Sequence, residues 1–215
     1  MSFTVRRPGP HDAATVAELH LSTWREAYAH LLPADFFSAE YIERRRRMWR
    51  GLLDDPPEET TIRIAESGGS IIGLAWAGPG LGVGDEPPPR ARQLYALYVA
   101  AAHYGTGAGQ ALLDEALGPG PAMLWVAAQN PRAIAFYRRN GFEFDGVEQT
   151  DPIAPSITDA RMLRWSPSPP QTTDAAARSA DDGITIGLST SRWTPSAPTR
   201  RTASRSGRRC SRGPT

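Results

Sequence analysis

The stretch of this chain best suited to chemistry is Tyr104-Gly105-Thr106-Gly107-Ala108-Gly109, with glycine at every second position. Ahead of it runs Leu94-Tyr95-Ala96-Leu97-Tyr98-Val99, rich in the branched and aromatic side chains that suit a strand. Behind it Ala108, Ala111, Leu112 and Ala116 recur on one helical face. A strand, a glycine turn and a helix start, in that order, make a place for an anion. The first backbone N–H groups of a helix lack intrahelical partners and carry partial positive charge. Glycines let a phosphate come close to them. A P-loop needs a lysine after its glycines, and this sequence contains none. A dinucleotide fingerprint spaces its glycines G-x-G-x-x-G, with an acid about 20 residues on. Here the spacing is G-x-G-x-G, and Leu124-Trp125-Val126 stands in the place of the acid.

The elements that position this turn are legible on either side. Residues 3–6 read as a first strand stopped by Pro8-Gly9-Pro10, and Val16, Leu19, His20, Thr23, Trp24 and Ala27 recur at helical spacing to about Tyr28. Ser38 offers an N-cap for a second helix to about Leu53, with Tyr41, Met48, Trp49 and Leu52 on one side. The run Arg44 to Arg47 beside them is expected as a solvated face rather than a nucleic-acid patch, since no second basic cluster supports it. Residues 60–66 and 70–77 form a hairpin around Gly68-Gly69. After the glycine-loop helix come a strand at 123–127, a helix from Pro131 capped by Asn130 and closed by Gly141, and strands at 143–147 and 160–165. The order β-α-α-β-β-β-α-β-α-β-β predicts a mixed α/β domain over 1–165.

Composition bounds the function. The chain has 215 residues, enough for one domain with a full core and a tail. Residues 166–215 hold eight arginines and three aspartates, so this part carries +5 and the rest −4. Ser, Thr, Pro, Ala and Arg dominate there, with too little apolar surface to offset chain ordering, and a disordered tail is expected. The tail is read as inert, its rival reading being an arginine-rich segment for nucleic acid. Cys210 is the one cysteine, so neither an internal disulfide nor a cysteine zinc site nor a core thiol nucleophile is expected. The N-terminus lacks the apolar stretch of a signal peptide, and nothing approaches the roughly 18 apolar residues of a membrane span. A soluble cytoplasmic protein is the default. None of the four histidines sits with a serine in a nucleophile-elbow motif.

Two motifs in order narrow this further. The glycine turn after Val99 resembles the acyl-CoA loop of the GNAT N-acetyltransferase superfamily, Arg/Gln-x-x-Gly-x-Gly/Ala, departing from it at Tyr104, where Arg or Gln is usual. One strand later, Asn130 opens a segment ending Phe136-Tyr137-Arg138-Arg139-Asn140-Gly141-Phe142, similar to that superfamily's second motif. Trp24-Arg25-Glu26-Ala27-Tyr28, followed by Leu31-Leu32-Pro33 and Phe36, also looks like many bacterial members. The resemblance covers about 3–165. It implies a mostly antiparallel central sheet with flanking helices, in which two neighbouring strands splay to admit the pantetheine arm of acetyl-CoA. By similarity Leu97, Tyr98 and Val99 supply backbone contacts to that arm. The N–H groups of Tyr104, Gly105, Thr106, Gly107, Ala108, Gly109 and Gln110 hold the pyrophosphate. Asn130 bonds the pantetheine, and the helix from Ala133 to Tyr137 flanks the thiol.

The same resemblance gives Tyr137 the role of general acid toward the leaving thiolate. It leaves the general base open. Gln93 stands where relatives often carry Glu, Glu26 and Asp35 are weak candidates, and a water chain is preferred. Trp24 and Tyr28, with Phe36 and Tyr41, are expected to crowd the acceptor side, though core packing explains them equally well. The expected activity is acetyl transfer from acetyl-CoA to a primary amine of a small molecule or protein N-terminus, without a metal. The alternative is a non-catalytic acyl-CoA sensor whose basic tail contacts nucleic acid. The oligomeric state stays open, a homodimer included.

Overall fold

The computed structural model describes residues 2–151 and 153–165. Within them the chain runs β1 (Thr4–Arg6), α1 (Ala13–Tyr28), α2 (Ala39–Asp54), β2 (Thr61–Ser67), β3 (Ser70–Pro79), β4 (Arg92–Val99), α3 (Ala108–Leu117), β5 (Ala122–Ala127), α4 (Pro131–Arg139), β6 (Glu143–Thr150) and β7 (Thr158–Arg164). This is the mixed α/β order read from the sequence. The expectations for residues 166–215 fall outside the described residues.

All seven strands join one sheet in the order β1-β2-β3-β4-β5-β7-β6, antiparallel except where β4 meets β5. A short turn dictates the antiparallel pairing of β2 with β3. Gly68 and Gly69, at φ 57° and 77°, fold β2 back on β3 through left-handed backbone that glycine adopts without strain. Between β4 and β5 lies α3, a crossover long enough for parallel pairing. α1 and α2 cover one face of the sheet, burying Trp24, Trp49, Trp76 and Tyr98. α3 and α4 cover the other, burying Leu97, Val99, Leu112, Val126 and Phe136. β4 is thus buried on both faces, which is why its sequence reads as a nearly unbroken apolar run.

Two irregularities in β4 shape the site. Opposite β3, Trp76 faces Ala96 and Ala77 faces Leu94, so Tyr95 is an extra, bulged residue. Beside β5, β4 is in register only at Gln93–Met123 and Leu94–Leu124, while β5 continues against β7 to Ala127–Asp159. Beyond Leu94 the two central strands part, and their facing edges form no ladder with each other. The basic run departs from expectation. Arg46 and Arg50 are exposed and pair with Glu18 and Glu43, but Arg45 is 3% exposed and lies over the Tyr41 ring. The helical period turns this one arginine inward, where its apolar stem packs in the core.

Candidate active site

The unladdered ends of β4 and β5 lie on the side where the glycine turn leads into α3. Gly105 and Gly107 hold φ of 75° and 84°, left-handed values that side-chain-bearing residues rarely adopt. Thr106 Oγ1 donates to the His103 carbonyl at 2.8 Å and fastens the turn. α2 and α4 begin on side-chain caps, Ser38 accepting from Tyr41 N and Asn130 from Ala133 N. α3 begins on Gly107, with no side-chain cap and no acidic residue in its first turn. Its first helical bond runs from Ala111 N to Gly107 O, so the N–H groups of Ala108, Gly109 and Gln110 precede any intrahelical acceptor. A methyl group added at Gly107 would meet nothing within 4 Å. Space is open beside Gly107, and these three N–H groups head the helix behind it.

Tyr104 departs from the motif in type, yet a cation still reaches it. The Arg132 guanidinium, from the first turn of α4, lies 4.7 Å from the centre of the Tyr104 ring. Both residues, with Glu26 and Asn130, line a cleft of about 340 Å3 between the end of α1, the glycine turn and the start of α4.

The other sequence-derived residues divide clearly. Leu97, Tyr98 and Val99 are fully buried, main chain as well as side chain. Asn130 caps α4 through Oδ1 and donates from Nδ2 to the Tyr28 hydroxyl at 3.1 Å, tying α1 to the β5–α4 turn. Ala133, in the first turn of α4, is fully buried. Trp24 and Tyr28 lie in the core, ring centres 5.4 Å apart, and Phe36 stacks on Trp24 and meets Tyr41. These four aromatics are brought together, and Trp24 Nε1 donates to the Tyr98 hydroxyl at 3.1 Å. Tyr137 is wholly buried between Phe136 and Phe142, and its hydroxyl has no hydrogen-bond partner. Burial lifts its pKa well above the ordinary phenol value, with Tyr28 and Tyr98 adding to the rise. The phenol keeps its proton.

Three groups bear on the unassigned base. Gln93 is buried, its Oε1 accepting from Leu81 N at 2.9 Å, a strut for the loop before β4. Glu26 and Asp35 are exposed. Two polar residues were missed by sequence reasoning. His20 is buried, accepts from Trp49 Nε1 at 3.0 Å through Nδ1, and stands 3.5 Å from the Tyr98 hydroxyl through Nε2. Burial and then the charge of Arg45 hold it neutral. Its place on the apolar face of α1 was the only signal. Asp159, 1% exposed, has neither carboxylate oxygen hydrogen-bonded. Nothing in its local sequence set it apart.

Helix-start N–H groups, parted strands and an orphan phenol fit a diphosphate with a thioester arm. Residues 17–142 match the acetyltransferase (GNAT) family. The chain belongs to that family.

Like its fellow GNAT members it is an acetyl-CoA-dependent acyltransferase. It is 32% identical over 153 residues to a probable N-acetyltransferase of Mycobacterium tuberculosis, covering 67% of this chain and 82% of the relative. It is 27% identical over 158 residues to the N-acetyltransferase YuaI of Bacillus subtilis, named as uncharacterized, covering 67% and 87%. Among solved structures, PaiA N-acetyltransferase of Thermoplasma acidophilum, in complex with coenzyme A, shares the fold at TM-score 0.55 and 22% identity, over 77% of this chain and 99% of that one. A structure from Corynebacterium glutamicum, described as histone acetyltransferase HPA2 and related acetyltransferase, does so at TM-score 0.57 and 20% identity, over 79% and 99%. Among the described residues of this GNAT chain no His, Cys, Asp and Glu cluster is placed to hold a metal, and no helix is long and apolar enough to cross a membrane.

Proposed function

We propose that this chain transfers an acetyl group from acetyl-CoA to a primary amine, on a small molecule or a protein N-terminus. The observation that carries the reading is the parting of β4 from β5 after Leu94–Leu124, in front of an α3 that starts without a side-chain cap. That geometry offers unladdered strand edge to an extended amide-bearing arm and helical N–H donors to a diphosphate. When bound, acetyl-CoA supplies an activated thioester carbonyl. The chain's own residues do the rest. The turn from Tyr104 to Gln110 holds the phosphates, with Arg132 beside Tyr104 adding positive charge. The main chain at Leu97, Tyr98 and Val99 aligns the arm, and a backbone N–H there stabilises negative charge developing on the carbonyl oxygen. Asn130, at the start of α4, hydrogen-bonds the arm.

Tyr137 is the proton donor to the departing sulfur. A wholly buried, unpartnered hydroxyl favours this over a purely binding role, because such a group is costly unless something arrives to use it. A cytoplasmic setting suits the cosubstrate. The test is calorimetry with acetyl-CoA followed by an acceptor screen of amino acids, polyamines, aminoglycosides and N-terminal peptides, read by mass spectrometry. We expect acetyl-CoA affinity and a mass gain of one acetyl group on one acceptor class. No affinity for acetyl-CoA would overturn the reading, and affinity without turnover would favour the sensor.

A further inference from the structure

The described residues contain three buried aspartates that the proposed mechanism does not use, Asp12, Asp151 and Asp159, and Asp12 is paired with Arg6. Asp159 is the second residue of β7 and faces Ala127, the last residue of β5. Directly opposed residues of an antiparallel pair share a face, with Cα atoms about 5 Å apart. Ala127 packs in the cluster built on α1 and α2, together with Ala154, Ile157 and Tyr28. Asp159 therefore lies on the helical side where the aromatic residues gather, one strand from the open end of the β4–β5 gap. Of its neighbours in register, Ala127 and Gln149 carry no charge. Arg161, two residues on along the same face of β7, is already engaged with Asp145 at 2.7 Å. The helical layer contributes the phenol of Tyr28.

The remaining charged group is Asp151, 2% exposed, whose Oδ1 accepts from the backbone of Ile153 and Ala154. Asp151 thus has a structural occupation. Asp159 has none: both its oxygens are buried and unpartnered. A carboxylate kept in that condition without a cation is costly, and an arriving ammonium relieves that cost. Burial, then repulsion from Asp151, pushes its acid up to about 7, near the range where a general base serves best.

We propose that Asp159 receives the acceptor's ammonium group and takes its proton, a role that rests on the acetyltransferase reading above. In that step one N–H bond of the ammonium breaks and its electron pair stays on nitrogen as the lone pair that acyl transfer requires. The proton lands on a carboxylate oxygen of Asp159, giving the neutral acid, and passes to solvent as product leaves. The negative carboxylates select acceptors that arrive positively charged.

The test compares the full-length chain with its Asp159→Asn variant, which keeps the shape and removes the charge. We expect acetyl-CoA affinity by calorimetry to stay within twofold. With any acceptor from the screen, kcat/KM should fall about a hundredfold and lose its rise with pH near 7. A second readout needs no acceptor. The folded-state pKa is raised above the ordinary carboxylate value, so the ionised form weighs against the fold increasingly as pH climbs from about 4 through 7. The variant's melting temperature should therefore exceed the parent's at pH 8 and converge with it at pH 4. A variant that is equally or less stable at pH 8, or one that keeps parental turnover and pH profile, overturns the proposal for Asp159 alone. A parent chain that binds no acetyl-CoA overturns the transferase reading with it.

Discussion

At the residue scale, the site is defined by polar groups that the fold leaves unanswered. Tyr137 is the sharpest case, since its ring packs against Phe136 and Phe142 and its buried hydroxyl has no hydrogen-bond partner. Replacing it with phenylalanine removes one oxygen and no packing. We expect Tyr137→Phe to lower kcat by about a hundredfold, the scale of a lost general acid, in single-turnover measurements where chemistry limits the rate. Its melting temperature should not fall, because the deleted hydroxyl makes no hydrogen bond in the fold. The raised pKa also sets a sign: the phenol stays protonated above its ordinary pKa, so the rate should show no falling limb near pH 10. The position of Tyr137 was readable because it sits in a local motif with Gly141 and Phe142. Asp159 was not readable in the same way. Its burial depends on β7 lying beside β5, 32 positions away in register from Ala127, and no local pattern carries that information. Arg45 failed for the opposite reason, since four consecutive arginines suggest solvent although the helical period turns one of them inward.

At the element scale, the strand–turn–helix unit from β4 to α3 carries both the proposed phosphate site and the departure of β4 from β5. Its glycines were legible because they answer a backbone requirement, and Gly107 shows which one. At φ 84° an L side chain is strained, although no atom lies within 4 Å to obstruct it. Gly107→Ala should therefore cost stability by about 1–2 kcal/mol through conformation rather than collision. It should weaken acetyl-CoA binding more noticeably, by about tenfold, because a methyl group would project into the space a phosphate needs. Denaturant melts and calorimetry on the same variant separate the two effects, and an unaltered affinity would move the phosphate away from this turn. The bulge at Tyr95 was not legible. It depends on the register against β3, and the sequence Leu94-Tyr95-Ala96 reads as an ordinary continuation of strand. Asn130 was legible as a cap, but its second bond to Tyr28, 102 positions away, was not.

At the scale of the whole molecule, the sheet behaves as two halves. β1 to β4 form one antiparallel run and β5 to β7 another, and across the middle only Gln93–Met123 and Leu94–Leu124 are in register. The halves are otherwise held by helices packed over both faces and by side-chain ties such as Asn130 to Tyr28. An extended ligand seated in the opening touches both halves at once, so its binding energy acts directly on the weakest seam of the fold. Anything that binds only the folded state stabilises it by mass action, about 2.7 kcal/mol at a hundredfold excess over Kd. We therefore expect acetyl-CoA at that excess to raise the melting temperature by several degrees. Hydrogen exchange should localise the gain, slowing at residues 96–99 and 125–127 and around 105–110 while the β2–β3 hairpin changes little. A thermal shift with protection spread evenly over the sheet would argue for a ligand seated elsewhere. The opening itself was anticipated only through the resemblance to a known family, because composition and periodicity specify two apolar strands but not that they diverge. Divergence follows from the bulge in β4 and from the continued pairing of β5 with β7, both of which are properties of the assembled sheet.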